Sequence, residues 1–149
     1  MTDRRPRRRP GENRDRLREA GLIEFGLFGY HGASTAGIAA RAGVPQPHLY
    51  TSFRTKQELF MACLADAEGR LIDRATGAPL CGTPHSQSSD DAGSEIDSAS
   101  ELFLLQAVAA SRDPELAVPI RRTLERVRAT LGNEPFYALL IRGSAFLFQ

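Results

Sequence analysis

The sequence has 149 residues, of which 42% are hydrophobic and 25% are charged, and its formal net charge is +1. This length suits one domain, or one small module followed by a second, and provides enough apolar residues for a buried core. The sequence contains no apolar run of the roughly 18 residues that would cross a bilayer. The composition therefore excludes a membrane-spanning protein, and we expect no membrane partner.

The near-neutral net charge conceals an uneven distribution along the chain. Residues 1–60 contain 11 Lys or Arg against 6 Asp or Glu, a balance of +5, whereas residues 61–149 contain 8 against 12, a balance of −4. Such asymmetry indicates that the N-terminal part meets a polyanion. Cys63 and Cys81 are isolated, which favours free thiols in a reducing compartment over a disulfide. The arginine-rich start lacks the apolar segment of a secretory signal, so we expect a cytoplasmic protein.

Hydrophobic periodicity predicts helices along most of the chain and no strands, so the predicted fold class is all-α. Residues 1–12 form a basic arm with nothing to bury, and the Gly, Pro, Ser and Asp content of residues 76–94 predicts a mobile loop. The predicted helices cover residues 13–28, 35–42, 46–53, 56–74, 95–110, 114–131 and 134–148. One face of the first contains Leu17, Gly21, Phe25 and Phe28.

The second and third predicted helices form a candidate helix-turn-helix. Gly43 suits the left-handed backbone of a tight turn, which a residue with a Cβ adopts only at a cost. Small residues where the helices would cross are Ala39, Ala40 and Ala42, and the apolar residues that would hold the pair together are Ile38, Val44 and Leu49. A helix held in this way can project side chains into a DNA major groove.

Further residues match a known pattern at fixed offsets. They are Gly29-Tyr30, Thr35, Ile38-Ala39, Ala42-Gly43-Val44, Tyr50, Phe53, Lys56 and Leu59. Together they make residues 29–60 closely resemble the DNA-binding domain of TetR-family transcriptional repressors. The resemblance is strong over roughly residues 14–65 and only general beyond them. It implies an N-terminal three-helix bundle with the helix-turn-helix, followed by a shortened helical C-terminal domain.

The resemblance also implies DNA contacts for individual residues. Gln46, Pro47 and His48 would open the recognition helix near base edges, and glutamine can pair bidentately with adenine. Contacts to the phosphate backbone would come from Thr35, Tyr50, Thr51 and Lys56. The arm would follow the backbone or minor groove with Arg4, Arg5, Arg7, Arg8 and Arg9. Pro45 and Pro47 depart from the pattern and remove two N–H donors from the entry to the recognition helix.

For the C-terminal half, the resemblance implies a small-molecule effector pocket and a homodimer. Candidate pocket residues, each of which could instead belong to the core, are Leu102, Phe103, Gln106, Phe136, Tyr137, Ile141 and Phe146. The chain stops at Gln149 within an apolar segment. Either the chain is shortened relative to the family, or residues 134–148 are themselves the dimerising element. In the second case an exposed apolar face would require a partner; its residues would be Phe136, Leu139, Leu140, Phe146 and Phe148.

The sequence thus predicts a ligand-responsive repressor that binds a palindromic DNA operator as a dimer. We expect an arm over residues 1–12, a DNA-binding domain over 13–60 and an effector and dimerisation domain over 61–149. Motifs of hydrolases, nucleotide-binding loops and zinc peptidases are missing from the sequence, so we expect no enzyme activity, no cofactor and no metal site. The alternative is a helical protein-interaction module with a vestigial DNA-binding motif and an incomplete dimer interface.

Overall fold

The computed structural model describes the backbone of residues 11–77 and 90–145, and the side chains of residues 11–77 and 96–145. Within these ranges the chain is all-α, as predicted, and contains no strand. The helices are α1 (Glu12–Gly32), α2 (Thr35–Ala42), α3 (Gln46–Ser52), α4 (Lys56–Thr76), α5 (Asp90–Ala110), α6 (Pro114–Leu131) and α7 (Asn133–Ala145). The predicted basic arm, most of the predicted loop with Cys81, and Phe146 and Phe148 lie outside the described residues.

Side chains that cap the first turns explain where two of the helices begin. The Ser34 hydroxyl accepts a hydrogen bond from the Gly37 N–H at 2.9 Å at the start of α2. The Asp113 carboxylate accepts from the Glu115 N–H at 3.0 Å at the start of α6. Both caps follow from the sequence, because serine and aspartate side chains satisfy helix N–H groups that have no partner within the helix. The predicted bounds of α2 and α6 are confirmed.

Two predicted helix ends and one predicted face are wrong in detail. The regular part of α1 breaks at Gly29, which has φ 69° and ψ 177°, but a further helical turn continues to Gly32. Helix α5 begins at Asp90, inside the predicted loop, because acidic residues favour the first turn of a helix despite the loop-like composition before it. Phe28, which the sequence spacing places on one face with Leu17 and Phe25, is 58% exposed, since the regular helix ends at the next residue.

The main hydrophobic core contains residues of α1 to α6. Three aromatic rings lie at its centre: Phe60 is 5.1 Å from Phe25 and 5.0 Å from Phe103, measured between ring centroids. Because these rings come from α1, α4 and α5, the helix-turn-helix and the C-terminal helices share one packed interior. The predicted domain division between residues 60 and 61 falls inside α4.

A second, smaller core lies where the later helices meet. Its buried residues are Leu71, Leu104, Val127, Phe136 and Leu139. The expectation that Phe136 and Leu139 form an exposed face requiring a partner is therefore wrong, because α4, α5 and α6 of the same chain bury these side chains. The large apolar residues that α7 exposes are instead Tyr137 (55%) and Ile141 (68%).

One buried carboxylate ties α5 to the helices on either side. Glu101 is nearly inaccessible to solvent and forms ion pairs with Arg74 of α4 and Arg142 of α7. The closest Arg142 contact, from Nη2 to Glu101 Oε1, is 3.0 Å. A buried carboxylate is tolerated when charge-assisted hydrogen bonds compensate for its lost hydration. The pairs thus fix the relative positions of three helices.

Candidate nucleic-acid interface

The turn between α2 and α3 is closed by backbone hydrogen bonds around Gly43. Gly43 adopts φ 61° and ψ 36°, the left-handed conformation predicted for it. Its N–H donates to the Ala40 carbonyl, and the Val44 N–H donates to the Ala39 carbonyl, both at 3.0 Å. This double closure is a Schellman motif, in which the residue after the glycine packs inward. Val44 is buried accordingly, and the exit direction from α2 is fixed.

Helix α3 is fixed on one side by Leu49 and by Phe53, the residue that follows it, both fully buried. The other side is open to solvent. The exposed side chains there are Gln46, Pro47, His48, Tyr50 and Thr51, which include all the residues predicted at the recognition helix. The Thr51 hydroxyl donates to the Pro47 carbonyl within the helix at 3.1 Å. Its remaining lone pairs stay available as hydrogen-bond acceptors.

The prolines limit what the backbone of α3 can offer a ligand. Pro45 is the N-cap, and Pro47 has no N–H. The His48 N–H is already bonded to the Pro45 carbonyl at 2.9 Å. Contacts from the start of this helix must therefore come mainly from the side chains of Gln46 and His48.

A pair of hydroxyls joins α2 to α3 on the open side. The Thr35 Oγ1 atom lies 3.1 Å from the Tyr50 hydroxyl oxygen. One of these groups donates to the other, so the accepting hydroxyl keeps its own hydrogen for an external acceptor. The two predicted phosphate contacts are thus brought together as a single donor site.

Lys56 occupies the first turn of α4, beside the end of α1. Its ammonium lies 5.1 Å from the centroid of the Tyr30 ring and donates to the His31 carbonyl at 3.4 Å. Partial burial lowers the pKa of Lys56, because desolvation disfavours its charged form. Ring and carbonyl hold the positive charge in place, and the ammonium retains hydrogens for an anion.

Three residues that support this surface were not singled out in the sequence. The Arg14 guanidinium stacks 4.2 Å from the centroid of Phe53 and donates to the Ser52 carbonyl at the end of α3. Arg41 of α2 donates to the buried Glu24 carboxylate of α1 at 2.8 Å. Because these partners are 38 and 17 residues apart, no local pattern in the sequence reveals them.

The N-terminus of α4 carries a signal that the sequence does contain. The Thr55 hydroxyl accepts from the Glu58 N–H at 3.0 Å, and the Glu58 carboxylate accepts from the Arg54 N–H at 2.9 Å. The T-x-x-E spacing of Thr55 and Glu58 resembles a capping box. Reading that pattern predicts the helix start and therefore the position of Lys56.

The segment that contains the helix-turn-helix has no acidic residue of its own. Residues 25–57 contain Arg41, Arg54 and Lys56 but no Asp or Glu. The acidic residues that bound this segment are both engaged, Glu24 with Arg41 and Glu58 with the backbone before α4. A segment without acidic residues and with exposed hydrogen-bonding side chains is suited to a polyanion.

The comparisons with known proteins agree with this geometry. Residues 17–63 match the family model described as bacterial regulatory proteins, tetR family. This part of the chain is similar to the DNA-binding region of tetR-family regulators. Over 60 residues it is 35% identical to an uncharacterized HTH-type transcriptional regulator, YdgC, from Bacillus subtilis (strain 168). The aligned region covers 40% of this chain and 31% of YdgC, so the match spans about a third of that relative.

Two solved structures are similar to this chain at lower sequence identity. A putative tetR family transcription regulator from Shewanella sp. PV-4 is 17% identical, with a TM-score of 0.51, over 91% of this chain and 86% of that one. The fatty acid degradation regulator FadR from Bacillus halodurans is 22% identical, with a TM-score of 0.48, over 80% of this chain and 62% of that one. The first of these likenesses extends over the helices beyond residue 63 and shows a shared all-α fold.

The predicted pocket residues are spread over different parts of the C-terminal helices. Leu102 and Phe103 are buried, and Gln106 is half-buried close to Gly29. Phe136 belongs to the second core, Tyr137 and Ile141 are exposed, and Phe146 lies outside the described residues. A cavity between α4 and α6 is lined by other side chains. An effector site at the predicted residues stays a prediction.

Proposed function

We propose that this tetR-family protein is a sequence-specific DNA-binding transcriptional regulator. The observation that carries the proposal is helix α3, which buries Leu49 and exposes Gln46, His48 and Tyr50 within a segment that contains no Asp or Glu. Side chains at the start of a helix held in this way reach base edges in a major groove. Gln46 and His48 would read bases, whereas the Thr35–Tyr50 hydroxyls and Lys56 would bind phosphates and set the register.

Fluorescence anisotropy with labelled DNA duplexes tests this proposal. Duplexes selected from a random library by the full-length protein should bind tighter than random DNA, with affinity that falls steeply between 50 and 200 mM salt, because bound cations release counterions. Lys56→Gln should reduce the slope of log affinity against log salt by about 1. Arg128→Gln removes the same charge from an exposed site on α6 and should leave the slope unchanged.

The outcome also separates the two hypotheses drawn from the sequence. A helical protein-interaction module with a vestigial motif would bind selected and random duplexes equally, without a response to Lys56→Gln. An equal reduction of the salt slope by Lys56→Gln and Arg128→Gln would also contradict DNA binding through α3. It would mean that affinity depends only on the total charge of the protein.

We further infer that the regulator acts as a homodimeric repressor in the cytoplasm. A palindromic operator requires two recognition helices about 34 Å apart, which one chain cannot supply. Light scattering at micromolar concentration should therefore give twice the 16.3 kDa mass of the chain. Within the described residues, no helix combines the length and hydropathy needed to span a membrane.

An effector would release such a repressor only if it bound the DNA-competent and released arrangements with different affinity. The C-terminal helices support this role, because α4 enters both the helix-turn-helix core and the second core. A ligand that shifts α4 therefore acts on both ends of the molecule.

A further inference from the structure

We propose that the groove between α4 and α6 binds a compact apolar monocarboxylate. The groove has a volume of about 250 Å³, and its apolar lining comes from Met61, Leu64, Ala65, Val118 and Pro119. This volume lies just below the roughly 300–1,000 Å³ of pockets for drug-sized ligands, which favours a smaller ligand. Val118 is 57% exposed, so an apolar ligand seated there removes hydrocarbon surface from water.

The polar side of the groove is already ordered by a neutral ion pair. Arg126 donates to both oxygens of Glu68, at 2.5 Å from Nε and 2.7 Å from Nη2, and Nη2 also donates to the Thr123 hydroxyl at 3.0 Å. The two charges compensate each other. Glu68 therefore presents no free carboxylate that would attract a cationic ligand.

Arg122 supplies the charge that selects the ligand. It lines the groove and is exposed, and within the described parts of the chain it forms no ion pair or hydrogen bond. Glu68, Arg126 and Arg122 together give the groove a net charge of +1. One free guanidinium matches one carboxylate, which it can bind through two parallel hydrogen bonds. The apolar lining then requires that the rest of the ligand be hydrocarbon.

The groove also joins the two helices that flank the helix-turn-helix core. Helix α4 begins at Lys56, and α6 begins at Pro114, directly after Asp113, whose carboxylate lies 3.9 Å from His31 at the end of α1. If the proposed function is correct, a ligand that contacts both helices is placed to alter DNA affinity. The binding site itself does not depend on that function.

NMR titration of the ¹⁵N-labelled full-length protein with sodium benzoate tests the site directly, without DNA. We expect saturable shifts confined to residues 61–68 and 118–126. Arg122→Gln should weaken benzoate binding about tenfold or more, since it removes a charge-assisted pair. Arg128→Gln, which removes an exposed charge outside the groove, should leave the dissociation constant unchanged. Benzamide, with the same ring and no charge, should bind as weakly as benzoate binds the Arg122→Gln protein.

A second variant tests the groove apart from its charge. Ala65 is exposed and lines the groove, so Ala65→Phe should fill it and abolish the benzoate shifts while circular dichroism stays that of the parent. Three outcomes would each overturn the proposal. They are chemical shifts that rise linearly with benzoate without saturation, an equal loss of benzoate affinity in the Arg122→Gln and Arg128→Gln proteins, and tighter binding of benzylammonium than of benzoate. If the protein binds benzoate but not DNA, only the proposed function is contradicted. If it binds DNA but not benzoate, only the proposed ligand site in the groove is contradicted.

Discussion

At the scale of single residues, Gly43 and Gly69 show that glycine stabilises the fold at one position and destabilises it at another. Gly43 turns the chain between α2 and α3 with positive φ, whereas Gly69 lies inside α4 with open space where a Cβ would be. A non-glycine residue pays about 1–2 kcal/mol for the left-handed conformation. In a helix interior, glycine is itself less favourable than alanine by roughly 0.5–1 kcal/mol.

We therefore expect Gly43→Ala to lower the free energy of unfolding by about 1–2 kcal/mol, and Gly69→Ala to raise it by roughly 0.5–1 kcal/mol. A Cβ at Gly43 would approach the end of the Arg16 side chain, which is flexible, so the backbone strain dominates. Urea denaturation of both variants measures the two changes. Stabilisation by Gly43→Ala would show that the turn is not held in this conformation.

The exposed side chains at the start of α3 lead to a prediction about specificity. Gln46→Ala should cost about 1–3 kcal/mol of binding to the selected duplex, because a bidentate base contact is lost. Affinity for random DNA should change little. Thr76→Ala, at the exposed end of α4, serves as a control in the same anisotropy assay. An equal loss on random and selected duplexes would assign Gln46 to the backbone instead.

The residue types along the sequence predict the helix-turn-helix well. They do not predict the long-range contacts that hold it against the rest of the protein. Gly43, Leu49 and the caps of α2 and α6 follow from local rules, because backbone conformation and capping depend on neighbours in the sequence. Arg14 on Phe53 and Arg41 on Glu24 depend on tertiary packing. No spacing in the sequence encodes such distant partners, so they become visible only in the folded chain.

At the scale of elements, the α6 N-terminus depends on a single side chain. Asp113 caps the helix and stands at its positive end, and α6 in turn buries Leu116 and Ile120 in the main core. Loss of an N-cap typically costs about 1 kcal/mol, whereas asparagine caps nearly as well as aspartate.

Asp113→Ala should therefore lower the free energy of unfolding by about 1 kcal/mol, and Asp113→Asn by less. For a chain of this length, the first change corresponds to a fall in Tm of roughly 2–4 °C. Thermal denaturation followed by circular dichroism distinguishes the variants. If Asp113→Ala and Asp113→Asn destabilise the protein equally, the loss comes from the negative charge of Asp113, which acts on His31 or on the helix dipole. In that case the capping hydrogen bond does not explain it.

Periodicity predicted the later helices more closely than their roles. Helix α7 is apolar on most sides, so the sequence alone could not decide which face is buried. The structure places Phe136 and Leu139 against the chain's own helices and leaves Tyr137 and Ile141 exposed. Which side of such a helix is covered depends on the positions of α4, α5 and α6, which periodicity does not encode.

At the scale of the whole molecule, acid titration reports on how α1 and α4 are packed. Asp66 pairs with Arg18 at 3.0 Å between Oδ2 and Nε. Burial raises the pKa of Asp66 above its usual range, and the Arg18 charge offsets this only in part. The folded state therefore holds the Asp66 proton more tightly than the unfolded state does.

A raised carboxyl pKa destabilises the folded state as pH rises. The contribution of Asp66 is most favourable below its unfolded pKa of about 3.9 and declines until the pH exceeds the folded value. Compared with Asp66→Asn, which does not titrate, the parent should lose relative stability as pH rises through this window. Urea midpoints measured from pH 3 to 7 provide the comparison. A relative gain with rising pH would mean that the ion pair with Arg18 outweighs burial.

The separation of charge between the two ends of the chain has a kinetic consequence. The charge balance is +5 over residues 1–60, of which residues 1–10 contribute +4, and −4 over residues 61–149. In the field of a nucleic acid this asymmetry orients the N-terminal part of the chain toward the duplex before contact, which raises the rate of productive encounter. Added salt screens this field, so it mainly slows association. Contacts already formed at the bases keep their lifetime.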